Sequence, residues 1–425
     1  MEKNTHRVFW IDQLRGIAIF LVILGHVELP DKINGLMYSF HMPLFFMITG
    51  LTMKNKKLQQ INMKEYVLNQ IKQLMIPYFW MSFMMYPLWY LVSCYRKESS
   101  VSVLQVLKGI FLGNSLICVS TSNALWFVLV LFLAKILYVI LCKMTKDNIR
   151  IMTILVIVSA VLGVVEQGKV RIWHWNVVFT AVVFIYIGNC IMQWYQNRGM
   201  AMLQNLKKRK FCLLLAVLFL IGIMSAYFNG RVSMNRNTFG NFVLLFYITA
   251  IAFSSVCMLS VIKLLPTKEN SKSIIVYIGK NSLLYVGCHI QVLRVLEYFL
   301  SDSLVPYWGS ILESIVVYFG LVLLCVLINR YFPYVSGKKI VDMEKKHVVS
   351  KVLLLMWCAW IPYAHIIKQS GINVDNKVIQ IFSLFALLGL STLIVKVVED
   401  YFPAILLENV KKESNDKKGY RPKKE

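Results

Sequence analysis

The sequence predicts an all-α fold, a polytopic transmembrane helix bundle of about 10–12 spans with both termini in the cytoplasm. Hydrophobic residues make up 58% of the 425 residues and charged residues only 16%, whereas a soluble domain usually carries about 25% charged residues. The apolar residues come in long blocks, and a spanning helix needs about 20 of them to cross about 30 Å of hydrocarbon. Helices follow because lipid cannot satisfy backbone polar groups.

Twelve apolar blocks are long enough, or nearly so, to cross the membrane. The second block is short and interrupted by Pro43, and the stretch 101–119 is predicted to lie in the interface or to re-enter the membrane. Under this count most Lys and Arg residues fall on the side of the N-terminus, which places both termini in the cytoplasm by the positive-inside rule. The blocks lie near residues 8–28, 36–53, 75–95, 124–142, 150–166, 173–194, 211–228, 241–264, 273–300, 308–330, 349–367 and 377–399.

The blocks divide the chain into three parts. We expect a core of about ten spans over residues 1–331, an additional C-terminal hairpin over 332–400, and a basic cytoplasmic tail over 401–425 that is disordered and lies beside anionic lipid. The net charge of +25 lies in loops between apolar blocks, so nucleic-acid binding is not expected. The nine cysteines form no C-x-x-C pair, so neither a disulfide framework nor a metal site is expected.

The strongest chemical signal is the set of polar residues inside the first apolar block. At about 100° per residue, Arg15 and His26 lie within about 20° of each other on a helix, and Asp12 lies on the same side. A charged residue at the membrane centre costs about 2.5–3.5 kcal/mol on insertion scales, so such residues usually face the bundle interior. We therefore expect Arg15 and His26 to face one protein-lined cavity. The alternative is structural: Asp12 and Arg15 form a local ion pair, and His26 is interfacial.

Four short motifs follow one another between residues 8 and 330. They are Asp12-x-x-Arg15-Gly16 with Gly25-His26, then Phe40-His41-Met42-Pro43-Leu44, then Leu125-Trp126-Phe127, and finally Gly279-Lys280-Asn281-Ser282-Leu283 with His289. Each is weak alone, but the ordered set resembles the acyltransferase-3 family of integral membrane acyltransferases. The last motif is similar to that of the branch with sugar O-acetylases of surface polysaccharides.

The resemblance implies a membrane-bound O-acyltransferase. Such an enzyme would transfer an acyl group, expected to be acetyl, from acyl-CoA to a hydroxyl of a cell-surface or exopolysaccharide sugar. Acetyl-CoA would be a donor substrate, with no permanently bound cofactor, and the acceptor a sugar or a lipid-linked glycan. The other expected partners are membrane lipids, and the expected location is the plasma (inner) membrane.

The matched positions also imply site residues. His26 suits a general base or a covalent acyl carrier, since histidine titrates near neutral pH. Arg15 suits bidentate binding of a phosphate, and Asp12 would hold it in place. The family often has an Arg-x-x-Arg pair before the third span, where this chain has Gln70 and Gln73 and only one nearby charge. The expected substrate-binding residues are His41, Trp126, Asn281, Ser282, His289 and Lys72.

Two other classes of protein stay open. A multispan transporter or flippase for a glycan or lipid-linked intermediate would also have an even span count and intramembrane charge, although no internal repeat is visible. A receptor or scaffold would tolerate the loss of His26. Substitution of His26 by Ala separates these classes, because only an acyltransferase would lose the acyl group on the glycan while still exporting it.

Overall fold

The computed structural model describes residues 9–96, 102–118, 121, 123–146, 148–265, 273–300, 307–337, 346–369 and 377–401. The predicted disorder of the basic tail falls almost entirely outside these residues. Helices α1 to α9 are Phe9–Leu24, Asp31–Thr52, Asn55–Gln60, Met63–Gln70, Ile76–Tyr95, Val103–Leu112, Trp126–Thr145, Ile149–Val165 and Trp175–Trp194. Helices α10 to α17 are Met200–Asn205, Lys208–Asn229, Val243–Leu264, Ile274–Lys280, Ser282–Leu300, Trp308–Tyr331, Lys346–Gln369 and Lys377–Tyr401.

The described part of the chain is helical and contains no β-sheet, which confirms the all-α membrane fold. An isolated bridge between Ser233 and Thr238 is its only β-type pairing. Five described helical segments are long and apolar enough to cross a membrane, and they coincide with predicted spans. The total of about 10–12 spans and the side on which the termini lie stay predictions. The five segments are Asn123–Thr145, Ile172–Asn205, Lys208–Asn229, Val243–Leu264 and Trp308–Tyr331.

The structure adds detail to two predicted elements. Helix α2 starts earlier than the predicted second span and continues through Pro43. Helix α6, within the stretch that was expected to be interfacial or re-entrant, has only ten residues and is too short to span. A capping box between Ser102 and Gln105 begins it, and Gly113 ends it with a φ of +63°, a conformation that glycine adopts without strain. Tyr78 on α5 donates a hydrogen bond to the carbonyl of Ile110 and holds α6 against the bundle.

Close backbone contact fixes the position of α1. At Gly16, a Cβ atom would collide with the backbone carbonyl of Ile275, and at Gly279 it would collide with the carbonyl of Asp12. Helices α1 and α13 therefore touch through glycines, as small residues allow in membrane bundles. Tyr318 on α15 adds a hydrogen bond from its hydroxyl to the carbonyl of Gly16, at 3.1 Å. These contacts hold the polar face of α1 in the interior.

The C-terminal helices pack beside the core. Helix α16 contacts α5 and α17. The indole Nε1 of Trp357 on α16 donates a hydrogen bond to the carbonyl of Met84 on α5, at 2.9 Å. The additional hairpin is thus attached to the rest of the protein at least through the α5–α16 contact.

Candidate active site

Two cavities lie along the first helix and its C-terminal extension, one at each end of the polar stripe. His26 lines a cavity of about 90 Å³, which we call the histidine cavity. Arg15 lines a cavity of about 1390 Å³, which we call the arginine cavity. The two share no lining residue, so the single cavity expected from the sequence is replaced by two. Along α1, the rise from Arg15 to the last helical residue, Leu24, is about 14 Å.

Three histidines meet at the histidine cavity. The ring centroids of His26 and His289 are 5.0 Å apart in an edge-to-face arrangement. His41 lines the same cavity, and it lies near enough to both rings for their charges to interact. His26 is partly exposed, whereas His41 and His289 are buried. The turn after α1, α2 and α14 thus each contribute one imidazole to this cluster, and those of His26 and His41 line the cavity.

The hydrogen bonds of these rings define where each neutral imidazole carries its proton. In each ring Nδ1 lies beside the carbonyl oxygen four residues earlier: 2.8 Å for His26 and Val22, 2.7 Å for His289 and Tyr285. His41 makes the same contact with the carbonyl of Met37. A carbonyl oxygen only accepts hydrogen bonds, so Nδ1 must be the donor. Each neutral ring therefore has a lone pair on Nε2, where it can accept a proton.

A tyrosine that the sequence analysis missed lies between two of the histidines. The ring of Tyr38 is 5.3 Å from that of His41 and 6.5 Å from that of His26, measured between centroids. Its spacing of three residues from His41 places both side chains on one face of α2. That spacing was visible in the sequence, but it gave no reason to connect Tyr38 with the first span.

The arginine cavity is polar and basic. Arg15 Nη1 lies 3.3 Å from Asp12 Oδ1, with the Asp12 side chain only 4% exposed and that of Arg15 29% exposed. The predicted local ion pair is therefore present, and its arginine is accessible from the cavity. Lys54 and Lys56, in the segment after α2, line the same cavity. Lys143 fixes this segment with a hydrogen bond to the carbonyl of Gln59, at 2.7 Å.

The other predicted binding residues divide between the site and the scaffold. Trp126 lines the histidine cavity. Asn281 is buried and bonded to the carbonyl of Tyr277 and the side chain of Asn329. Ser282 begins α14, and Lys72 is exposed in a π-helical turn. None of the last three lines either cavity, and their proposed role in binding stays a prediction.

A second group that the sequence analysis left unassigned lies around the loops at the histidine end. His174 is 1% exposed, and its ring centroid is 5.6 Å from that of Trp126. Asn235 lines the histidine cavity. Nearby, Arg171 and Lys169 each bind the carboxylate of Glu166, at 2.9 Å, and these hydrogen bonds lower the pKa of Glu166. Only the fold brings these loop residues together, so no sequence motif could have marked them.

Among the described residues, no three His, Cys, Asp or Glu side chains are placed to hold one metal ion. The histidine cavity itself is lined by the imidazoles of His26 and His41, each with a lone pair on Nε2, by the phenol of Tyr38 and by the indole of Trp126. Such a set suits proton transfer to and from a hydroxyl.

Comparison with known proteins agrees with this arrangement. Residues 8–330 match the acyltransferase domain model of the acyltransferase-3 family, and the match includes α1 to α14 and nearly all of α15. No curated protein and no solved structure matches the chain. Since the matched domain covers well over half of the sequence and contains both cavities, this chain is a membrane protein that belongs to the acyltransferase-3 family.

Proposed function

We propose that this protein transfers an acyl group, normally acetyl, from acyl-CoA to a hydroxyl of a cell-surface polysaccharide sugar in the plasma membrane. The family membership supports acyl transfer in general. The observation that supports a catalytic site is the state of His26: its Nδ1 is bonded to the carbonyl of Val22, and its ring lines a protein cavity. A neutral histidine fixed in this way offers Nε2 as a base to whatever occupies that cavity.

His26 is the only proton carrier that the proposed reaction needs. Its Nε2 accepts the proton of the acceptor hydroxyl while the hydroxyl oxygen attacks the thioester carbonyl carbon. The C–S bond then breaks, and the CoA thiolate takes the proton from Nε2, which restores the neutral ring. In the covalent alternative, Nε2 attacks the carbonyl carbon, the C–S bond breaks and CoA leaves as the thiolate. The hydroxyl oxygen then displaces the acyl group from Nε2, and its proton goes to the thiolate. Both routes need the lone pair on Nε2 of His26.

The arginine cavity suits the donor. CoA carries several phosphates, and Arg15, Lys54 and Lys56 supply positive charge along one cavity. The buried carboxylate of Asp12 orients Arg15. CoA also carries its thioester at the end of a long arm, so phosphates bound near Arg15 leave that thioester free to reach along α1 toward His26. These lysines supply the charge that is missing at Gln70 and Gln73.

Packing around His26 supports a fixed ring orientation. His289 lies against the His26 ring, and its Nδ1 is held by Tyr285. His26 is therefore held by a backbone hydrogen bond on one atom and by ring packing, which leaves Nε2 as its reactive position.

Substitution of His26 by Ala in cells tests the proposed function. We expect normal protein levels and normal export of the glycan, with its acetate content reduced at least about 100-fold, the lower range for loss of a general base. Tyr227→Phe, on an exposed face of α11, is the control and should leave acetate unchanged. Loss of the exported glycan itself would indicate a transporter, and unchanged acetate would exclude the catalytic role of His26.

A further inference from the structure

The wall of the histidine cavity also contains a hydrogen-bond acceptor that the proposed chemistry does not use. Asn235 lines the cavity, and its side-chain Oδ1 is buried without a hydrogen-bond partner among the described residues. A buried polar atom of this kind calls for an explanation, because an unpaired acceptor is unfavourable. None of the residues that line the cavity is charged. A neutral ligand with a hydrogen-bond donor would give this oxygen its missing partner.

The turn that carries Asn235 is held rigidly. It lies within the short 3-10 segment Met234–Arg236, which the backbone pairing of Ser233 and Thr238 closes. The next residue, Asn237, is fully buried, with a φ of +52°. Its Nδ2 donates hydrogen bonds to the carbonyls of Gly163, at 2.8 Å, and Glu166, at 3.0 Å. The position of Asn235 is therefore fixed against α8.

A strained pair of residues holds the same turn from the other side. Trp173 and His174 are consecutive and both have positive φ, at +55° and +50°, which non-glycine residues rarely adopt. His174 Nδ1 donates a hydrogen bond to the backbone carbonyl of Asn235, at 2.8 Å. Trp173 Nε1 donates to the carbonyl of Phe111, also at 2.8 Å. Strain that the surroundings maintain is typical of functional sites.

We infer that Asn235 is a specificity-determining residue that accepts a hydrogen bond from a second hydroxyl of the acceptor, with His174 as its positioning residue. The inference rests on the proposed function. His26 Nε2 and Asn235 Oδ1 are both acceptors, so the occupant of this cavity must bring two donors. Trp126, in the same wall, offers an aromatic face against which the apolar face of a ring can pack. The acceptor is thus a neutral polyol and not a simple alcohol.

The inference is tested with the full-length protein in lipid nanodiscs, radiolabelled acetyl-CoA and the chemically deacetylated envelope glycan of the host. We expect Asn235→Leu to raise the KM for the glycan at least about tenfold, because a site built around a hydroxyl loses that interaction. The KM for acetyl-CoA should not change. His174→Leu should raise the glycan KM in the same selective way, since it releases the carbonyl of Asn235.

Two further variants test whether the effect depends on the acceptor oxygen of Asn235. Asn235→Asp keeps an acceptor oxygen in place and should retain a glycan KM within about threefold of the native value. Arg236→Gln changes an exposed neighbour on the same turn and should have no effect. If the native protein transfers no label, the proposed function fails. If it transfers label but Asn235→Leu keeps the native glycan KM, or changes both KM values equally, this inference alone is overturned.

Discussion

The tautomer of His26 follows from its position just after the end of a helix. Helix α1 ends at Leu24, and the ring of His26 folds back so that Nδ1 donates to the carbonyl of Val22. Carbonyls in the last turn of a helix lack an intrahelical partner, so this hydrogen bond satisfies one of them and sets the tautomer of the ring. A capping role and the proposed catalytic role are thus compatible in one residue.

The positive charge of the arginine cavity is proposed to bind the donor, and two neighbouring lysines provide a matched test of this. Lys56 lines the cavity, whereas its neighbour Lys57 is exposed and does not. We expect Lys56→Gln to raise the KM for acetyl-CoA several-fold, and Arg15→Gln to raise it by about tenfold or more, since a charged hydrogen bond contributes about 1.5–3 kcal/mol. Lys57→Gln should not change it. Equal effects of the two lysine variants would contradict binding of the donor in this cavity.

Some site residues were predictable because they lie on regular helices. The period of the first helix placed Arg15 and His26 on its polar face, and the short motifs indicated His41, Trp126 and His289. The loop residues around Asn235 were not predictable, since their meeting depends on turns with positive φ and on contacts between segments distant in sequence. The division into two cavities was also not predictable, because each is lined by residues from several segments that are distant in sequence.

At the scale of elements, glycine contacts decide where α1 lies. Two glycines, Gly16 and Gly25, belong to the first sequence motif. Only Gly16 lies against a neighbouring backbone, whereas a Cβ at Gly25 would meet nothing closer than 3.4 Å. The partner of Gly16 is α13, whose Gly279 belongs to the late motif. That motif therefore also has a packing role. In keeping with this, Asn281 of the same motif forms hydrogen bonds with Tyr277 and Asn329.

The close contact between α1 and α13 predicts that a larger residue in place of Gly279 lowers the stability of the protein. Gly279→Ala would push a Cβ atom into the carbonyl of Asp12, and overpacking of this kind costs about 1–3 kcal/mol. We expect a lower unfolding temperature in detergent and reduced activity. Gly320→Ala on α15, where a Cβ meets nothing within 4 Å, should be neutral or slightly stabilising. Equal unfolding temperatures for both variants would show that α1 does not depend on this contact.

At the scale of the whole molecule, the two cavities lie at opposite ends of the polar stripe of the first helix. The proposed function assigns the donor to the arginine cavity and the acceptor to the histidine cavity, on different sides of the membrane. Composition and hydropathy were sufficient to predict an all-helical membrane bundle. They did not predict helix limits such as those of α2 and α6, which depend on packing and caps.

The predicted orientation has its own test. If the N-terminus is cytoplasmic, the segment around Lys57 is cytoplasmic and the loop around Asn241 faces outward. Both residues are exposed. In intact cells, a membrane-impermeant maleimide should label Asn241→Cys above the level given by the native cysteines, and should not label Lys57→Cys until the membrane is permeabilised. The reverse pattern would invert the sides assigned to donor and acceptor.

The central claim is that the lone pair of His26 carries the acyl-transfer chemistry. Its most direct test is the rate of label transfer from acetyl-CoA to deacetylated glycan by purified His26→Gln protein, compared with the native protein at saturating substrates. The account predicts a loss of at least about 100-fold in kcat, with the KM for acetyl-CoA and the unfolding temperature unchanged. A variant that retained most of the native kcat would contradict it.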